Sequence, residues 1–274
     1  MFLGFLQLFR PLNLLLGALA IVISSSILEV EVPFIILQTV FVVIILNAAA
    51  NVFNDYMDFE TDRINHPERP IPKGAISKMT ALIAATLLFV AGITLSAFLN
   101  SDAFIIASLI AVPLMIAYSL WFKGWPLFGN IVIALILGLT FIFAGAAFGN
   151  LWGLIVPALL AFGFTLLREL VKDIADLEGD RSAGLRTFPV LAGEKKSAIL
   201  AIILSAMIGA GALIPYFLEF YGLKYLIILI FGIEFPLFYV LLTLVKSPTI
   251  TNCKRIAQIL KACIIVGLLA VYLG

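Results

Sequence analysis

Apolar residues run almost unbroken for roughly 18 to 25 positions at a time, and polar ones gather in the short gaps between the runs. Nine runs lie near 11–28, 34–56, 79–99, 103–121, 128–148, 151–174, 197–217, 225–245 and 255–273. Each is long enough to form a helix across the hydrocarbon core of a bilayer. The third and fourth are separated by Asn100-Ser101-Asp102 and the fifth and sixth by Gly149-Asn150, both of them turn sequences. No soluble module or low-complexity linker interrupts the series. The pattern predicts an all-α polytopic membrane protein, with residues 1–274 as a single membrane domain.

Composition supports this class. Hydrophobic residues make up 63% of the chain and charged ones 12%, about half the share usual in soluble globular domains. A net charge of +1, with no long basic tract, gives no case for nucleic-acid binding. Cys253 and Cys263 lack metal-ligand spacing and read as reduced packing residues. Arg10 precedes a first run too long for a signal-peptide core, so no cleavable signal is expected.

The distribution of Lys and Arg sets the expected sidedness. With the N-terminus cytoplasmic, that side receives all the basic loop residues except Lys224. The opposite side receives Glu29, Glu31, Asp102 and Glu219. The expectation is a multi-pass protein of the cell membrane, N-terminus inside and C-terminus outside. Glu234 and Lys261 fall within runs. An intramembrane carboxylate is a functional suspect by default, whereas a lysine there is expected to snorkel to the nearer interface.

In a chain this poor in charge, two polar stretches stand out. Asp55 to Arg63 and Asp173 to Arg181 both read D-x-x-D-x-E-x-D-R, each at the end of an apolar run on the cytoplasmic side. Acids spaced i, i+3 and i+7 share one face of a continuous helix. Two such faces turned toward each other would form a cage of oxygen ligands suited to Mg²⁺, which takes one or two carboxylates, several waters and phosphate oxygens. After the first motif, Pro67, Pro70, Pro72 and Gly74 stiffen a loop that holds Arg63, Arg69 and Lys73 nearby. After the second come Arg181, Arg186 and Thr187, with Lys172 on the preceding turn. A further loop brings Tyr118, Lys123 and the amide of Asn130 to the same side. Charged loop residues are ordinarily just solvated helix ends, but a nine-residue register occurring twice is poorly explained that way. His66, the sole histidine, reads as a loop residue rather than a ligand or base.

Carboxylates, Mg²⁺ and cationic side chains around a diphosphate stabilise charge on a leaving group. No Ser-His-Asp or Cys-His arrangement and no P-loop is present. These motifs resemble those of the UbiA superfamily of intramembrane prenyltransferases over nearly the whole chain. The N-x-x-x-D-x-x-x-D element matches Asn54, Asp58 and Asp62, and D-x-x-x-D matches Asp176 and Asp180, with Asp173 one turn earlier. The resemblance implies nine transmembrane helices around a central cavity opening to the cytoplasmic side, with Mg²⁺ held at the ends of the second and sixth. It implies catalytic and metal roles for Asp58, Asp62, Asp176 and Asp180, with Asn54, Asp55 and Asp173 assisting. Arg10, Arg63, Arg69, Lys73, Tyr118, Lys123, Lys172 and Arg181 become candidates for the diphosphate side.

Within the superfamily, the segment through Arg69-Pro70-Ile71-Pro72 and Gly74-Ala75-Ile76-Ser77 is similar to two branches. The second motif, with Thr187-Phe188-Pro189, is closer to the ether-lipid branch than to the chlorophyll branch. Lys73 stands where Ser is usual and Phe188 where Leu is usual. The implied reaction moves geranylgeranyl from its diphosphate to geranylgeranylglyceryl phosphate, giving digeranylgeranylglyceryl phosphate. The partners expected are a prenyl diphosphate, a lipid acceptor and the bilayer, with no obligate protein partner. The alternatives are a prenyltransferase acting on a quinone precursor or chlorophyllide, and a cation-coupled transporter. The carboxylates lie at helix ends, whereas transporter sites usually lie at the midplane.

Overall fold

The computed structural model describes residues 2–274, and among them it contains helices and no strand. We label the helices α1 (Phe2–Phe9), α2 (Pro11–Ile27), α3 (Pro33–Met57), α4 (Phe59–Asn65), α5 (Lys78–Ser96), α6 (Ser101–Phe122), α7 (Phe128–Ala147), α8 (Ile155–Ala175), α9 (Leu177–Ser182), α10 (Phe188–Ala192), α11 (Glu194–Phe217), α12 (Leu223–Lys246) and α13 (Ile250–Leu273). Among the described residues seven helices are long and apolar enough to cross a membrane: α3, α5, α6, α7, α11, α12 and α13. The pair α1–α2, bent by 51°, makes an eighth if it counts as one span. The nine runs of the sequence thus give seven or eight such helices. The run that falls short is α8, because Arg168, Glu169, Lys172 and Asp173 occupy its last two turns. The last helix starts earlier than its apolar run, at Ile250, because the Thr249 hydroxyl accepts a hydrogen bond from the Asn252 amide and caps it.

The chain divides into two compact units, one formed by the chain through Trp121 with Leu139–Leu154, the other by Phe122–Gly138 with Ile155–Gly274. In the first unit α3 packs against α2 and α5. Pro33 opens α3, where a missing N–H costs nothing. At its C-terminal end Leu8, Val52, Ile71, Ile76, Ala81 and Ala85 form a buried cluster with Phe5, Phe9, Phe53, Tyr56 and Phe59 against it. Ile71 and Ile76 belong to the loop after α4, so this cluster pins that loop down. Its tight turn, in which the Ala75 amide donates to the Pro70 carbonyl at 2.9 Å, uses Gly74 at φ +78, a conformation that glycine adopts without strain. Ser77 then caps α5, its hydroxyl accepting from the Thr80 amide at 3.0 Å.

In the second unit α8 packs against α11 and α13. Leu167, Leu170, Val171 and Ile174 are fully buried, an i, i+3, i+4, i+7 stripe that turns one face of α8 inward and leaves the polar residues on the others. Large apolar side chains on several helices, such as Phe34, Phe217 and Phe231, are exposed as on a lipid-facing surface. Glu234 ends a wide π turn in α12, and its Oε1 is buried with no hydrogen-bond partner. Lys261 is half-buried in α13.

Gly129 opens the path of the loop that carries Lys123. A Cβ at this position would lie 2.6 Å from the Phe122 carbonyl oxygen, which is backbone and has little freedom to yield. We expect Gly129→Val to destabilise the protein by about 1–3 kcal/mol through overpacking, read as a lower Tm in detergent. An unchanged Tm would contradict this packing.

Candidate active site

The first motif does not lie on one continuous helix. Helix α3 stops at Met57, Asp58 has φ −78 and ψ 0, and α4 starts at Phe59. The second motif behaves identically: α8 stops at Ala175, Asp176 has φ −98 and ψ 6, and α9 starts at Leu177. In both, the break falls at the second aspartate. In both, that residue's carbonyl accepts from the fourth acid, Asp62 N at 2.8 Å and Asp180 N at 2.9 Å. The single helical face inferred from i, i+3, i+7 spacing is thereby replaced by a bent strip. Asp55 and Asp173 lie on the long helices, Asp58 and Asp176 at the corners, and Asp62 and Asp180 on the short helices.

In the first unit, Asp55 and Asp62 are both only 4% exposed, an environment that requires partners for their charge. Asp55 sits in the last turn of α3, where the negative end of the helix opposes it and no basic residue of the helix offsets it. The compensation comes from elsewhere. The Arg10 guanidinium donates to Asp55 Oδ1 at 2.5 Å, and Arg69 donates to Asp62 Oδ2 at 2.7 Å while standing 3.8 Å from Asp55. Arg10 can do this because the chain breaks there. Pro11 cannot extend the preceding helix, and Arg10 takes a left-handed conformation at φ 53, ψ 69. The Phe9 carbonyl freed by the break accepts from the Asn51 amide at 3.0 Å.

In the second unit, Asn130 Nδ2 donates to Asp173 Oδ2 at 2.8 Å, and the Thr187 hydroxyl donates to Asp180 Oδ2 at 3.1 Å. Burial pushes the Asp180 carboxyl above the ordinary carboxylate range and the Asp176 charge adds to this, while Thr187, Lys172 and Lys123 pull it back. Lys172 pairs with Glu169 at 3.7 Å, and Arg168 bonds the same carboxylate. Asp176 stands at the N-cap of α9 but does not spend its carboxylate on the helix amides.

The other candidates are less gathered. Arg63 is exposed and turned to Glu60 at 3.4 Å and to the Phe59 ring at 5.8 Å. Lys73 and Arg181 are exposed, and Asn54, Tyr118 and Lys123 are half-buried. His66 lies on the surface, 3.3 Å from Glu68. The sequence reading missed Asn51, whose only signal was an amide inside an apolar run, and Glu169, which collects the cations of α8.

Among the described residues no three His, Cys, Asp or Glu side chains form a ready-made metal cage. Mg²⁺ does not require one, because it uses one or two carboxylates and fills its remaining positions with water and phosphate oxygens. An all-oxygen set with an aspartate at each helix corner fits that ion. We expect Asn130→Leu, which leaves Asp173 without its donor, to lower stability by about 1–3 kcal/mol, measurable as a drop in Tm. No drop would show that this bond carries no weight.

Residues 14–261 match the model of the UbiA prenyltransferase family. The chain is 33% identical over 273 residues to the digeranylgeranylglyceryl phosphate synthase of Thermococcus kodakarensis, covering 98% of this chain and 96% of that one. It is 36% identical over 229 residues to the synthase of that name from Natronomonas pharaonis, covering 83% and 82%. Among solved structures, one of a digeranylgeranylglyceryl phosphate synthase superposes with a TM-score of 0.79 at 31% identity, covering 99% of this chain and 97% of that one. A UbiA homologue from Archaeoglobus fulgidus, bound to DMAPP and Mg²⁺, shares the fold at TM-score 0.72 and 20% identity, covering 98% and 99%. The bent acidic strips described above therefore belong to a UbiA prenyltransferase, the family of which this chain is a member.

Proposed function

We propose that this protein transfers a geranylgeranyl group from geranylgeranyl diphosphate to the free hydroxyl of geranylgeranylglyceryl phosphate, forming the doubly ether-linked lipid precursor. The observation that carries this reading is the acidic motif occurring twice with the same break at its second aspartate. The relatives named for this product, which match along nearly the full chain, support the choice of acceptor.

Asp58, Asp62, Asp176 and Asp180 would hold Mg²⁺, with Asn54, Asp55 and Asp173 beside them. When bound, the ion supplies positive charge to the departing diphosphate. Arg10 and Arg69 add to that charge with a fixed fork that matches phosphate oxygens. Lys123, Tyr118, Lys172, Arg181, Arg63 and Lys73 complete the diphosphate side. As the bond between C1 of the prenyl chain and the diphosphate oxygen breaks, its electron pair leaves with the diphosphate. A lone pair of the acceptor hydroxyl then forms the new C–O bond and the hydroxyl proton is lost. His66, on the surface beside Glu68, takes no part in our scheme.

Our reading treats residues 1–274 as one functional domain with nine crossings, α8 being the ninth. Its 21 residues span about 30 Å. The N-terminus and both acidic motifs then lie on the cytoplasmic side, where the diphosphate enters a central cavity, and the C-terminus lies outside.

The test uses purified protein with labelled geranylgeranyl diphosphate and Mg²⁺, with and without geranylgeranylglyceryl phosphate. We expect a doubly prenylated lipid only when the acceptor is present, and none with chelator. Asp62→Ala and Asp180→Ala should each lower turnover by about a hundredfold or more without preventing insertion. Near-normal turnover in either variant would remove the motifs from the chemistry. Diphosphate release without the lipid product would move the acceptor to another class.

A further inference from the structure

The two acidic motifs share a register but differ in what neutralises them. In the first, guanidinium groups sit directly on the carboxylates, Arg10 on Asp55 and Arg69 on Asp62 with Asp55 in reach. In the second, the matching acids are held by neutral donors, Asn130 on Asp173 and Thr187 on Asp180. The correspondence extends to sequence separation. Arg69 and Thr187 each stand seven residues after the fourth acid of their motif, and each donates to its Oδ2. Two cations of the second unit, Arg168 and Lys172, are paired with Glu169. Lys172 and Lys123 act on Asp180 through their charge, while the bonds to its carboxylate and to that of Asp173 come from Thr187 and Asn130.

We propose that the two motifs load divalent cations in a fixed order. The Asp176–Asp180 half binds one unaided, and the Asp58–Asp62 half binds its ion only after a diphosphate has drawn Arg10 and Arg69 away from the carboxylates. This rests on the Mg²⁺-dependent reading above. A dication approaching the first motif meets one guanidinium seated on its ligand Asp62 and a second on the neighbouring Asp55, so it must displace positive charge from a poorly solvated place. A dication approaching the second meets carboxylates bonded by an amide and a hydroxyl, with the charges of Lys172 and Lys123 acting on Asp180 but no guanidinium bonded to it. A diphosphate changes the first case because its oxygens offer the arginine forks a more highly charged bidentate partner. Arg10 and Arg69 therefore switch between carboxylate and phosphate. By linkage, whatever affinity the diphosphate adds for the second ion, that ion returns to the diphosphate.

The test is equilibrium dialysis of the full-length protein in detergent against Mn²⁺, with and without inorganic pyrophosphate, which carries no prenyl chain and cannot react. The expected result is one protein-bound Mn²⁺ per chain without pyrophosphate and a second with it. Asp180→Asn should remove the pyrophosphate-independent ion, whereas Asp62→Asn should keep it and lose the second. Arg69→Gln should admit the second ion without pyrophosphate, tightening it by roughly tenfold or more, and Arg69→Lys, which retains the charge, should not. A merely structural Arg69 would weaken binding in the Gln variant instead, which would overturn the proposal. Two ions on the wild type without pyrophosphate, or a first ion lost in Asp62→Asn and kept in Asp180→Asn, would also overturn it. No Mn²⁺ under either condition would overturn the Mg²⁺-dependent reading itself, and this order with it.

Discussion

Carboxylates placed where apolar helices end must be neutralised by something, and the rest of this structure answers that requirement. Asp55 and Asp62 are almost wholly shielded from solvent, in surroundings where an unpaired charge is prohibitive. Their partners come from outside the helices that carry them, Arg10 from 45 residues before Asp55 and Arg69 from the following loop, held down by Ile71 and Ile76. The apolar cluster beneath that loop therefore sets an electrostatic contact. Packing fixes the backbone of the loop, the backbone aims the guanidinium, and the guanidinium gives the buried acid a partner of opposite charge.

The corners at Asp58 and Asp176 make these acids useful as well as tolerable. On an unbroken helix, three acids stacked along one face would repel one another and add to the negative end of the helix. The break starts a new helix at each corner, so Asp62 and Asp180 sit in a first turn, where negative charge is favoured. The same nine residues thus contain one acid that its helix opposes and one that its helix supports.

The apolar runs and the doubled register were plain from the sequence, because a bilayer demands long apolar helices and the charge is so sparse elsewhere. The corners were not. Met57, Phe59 and Ile64 carry apolar character past the first, Ala175 and Leu177 past the second, and neither has a proline or glycine beside it to mark a stop. Pro11 did mark the break before α2, but nothing in the residue type told that Arg10 would turn left-handed. The early start of α13 was available in Thr249 and was obscured by the polar residues that follow. The roles of Asn130 and Thr187 needed coordinates, because an amide or hydroxyl near an acid can also face water.

The left-handed backbone at Arg10 bears on when parts of this protein become native. That conformation costs on the order of 1–3 kcal/mol for a residue with a side chain. What offsets it, the Asp55 carboxylate and the Asn51 amide on the Phe9 carbonyl, is synthesised more than 40 residues later. During synthesis the bend between α1 and α2 has only its local backbone bonds, Arg10 N to the Gln7 carbonyl and Asn13 N to the Arg10 carbonyl, until α3 has entered the bilayer beside it. The first helices of the chain thus reach their final shape only after the third is in place, and a lesion at Asp55 would be felt as a loosened backbone at residue 10.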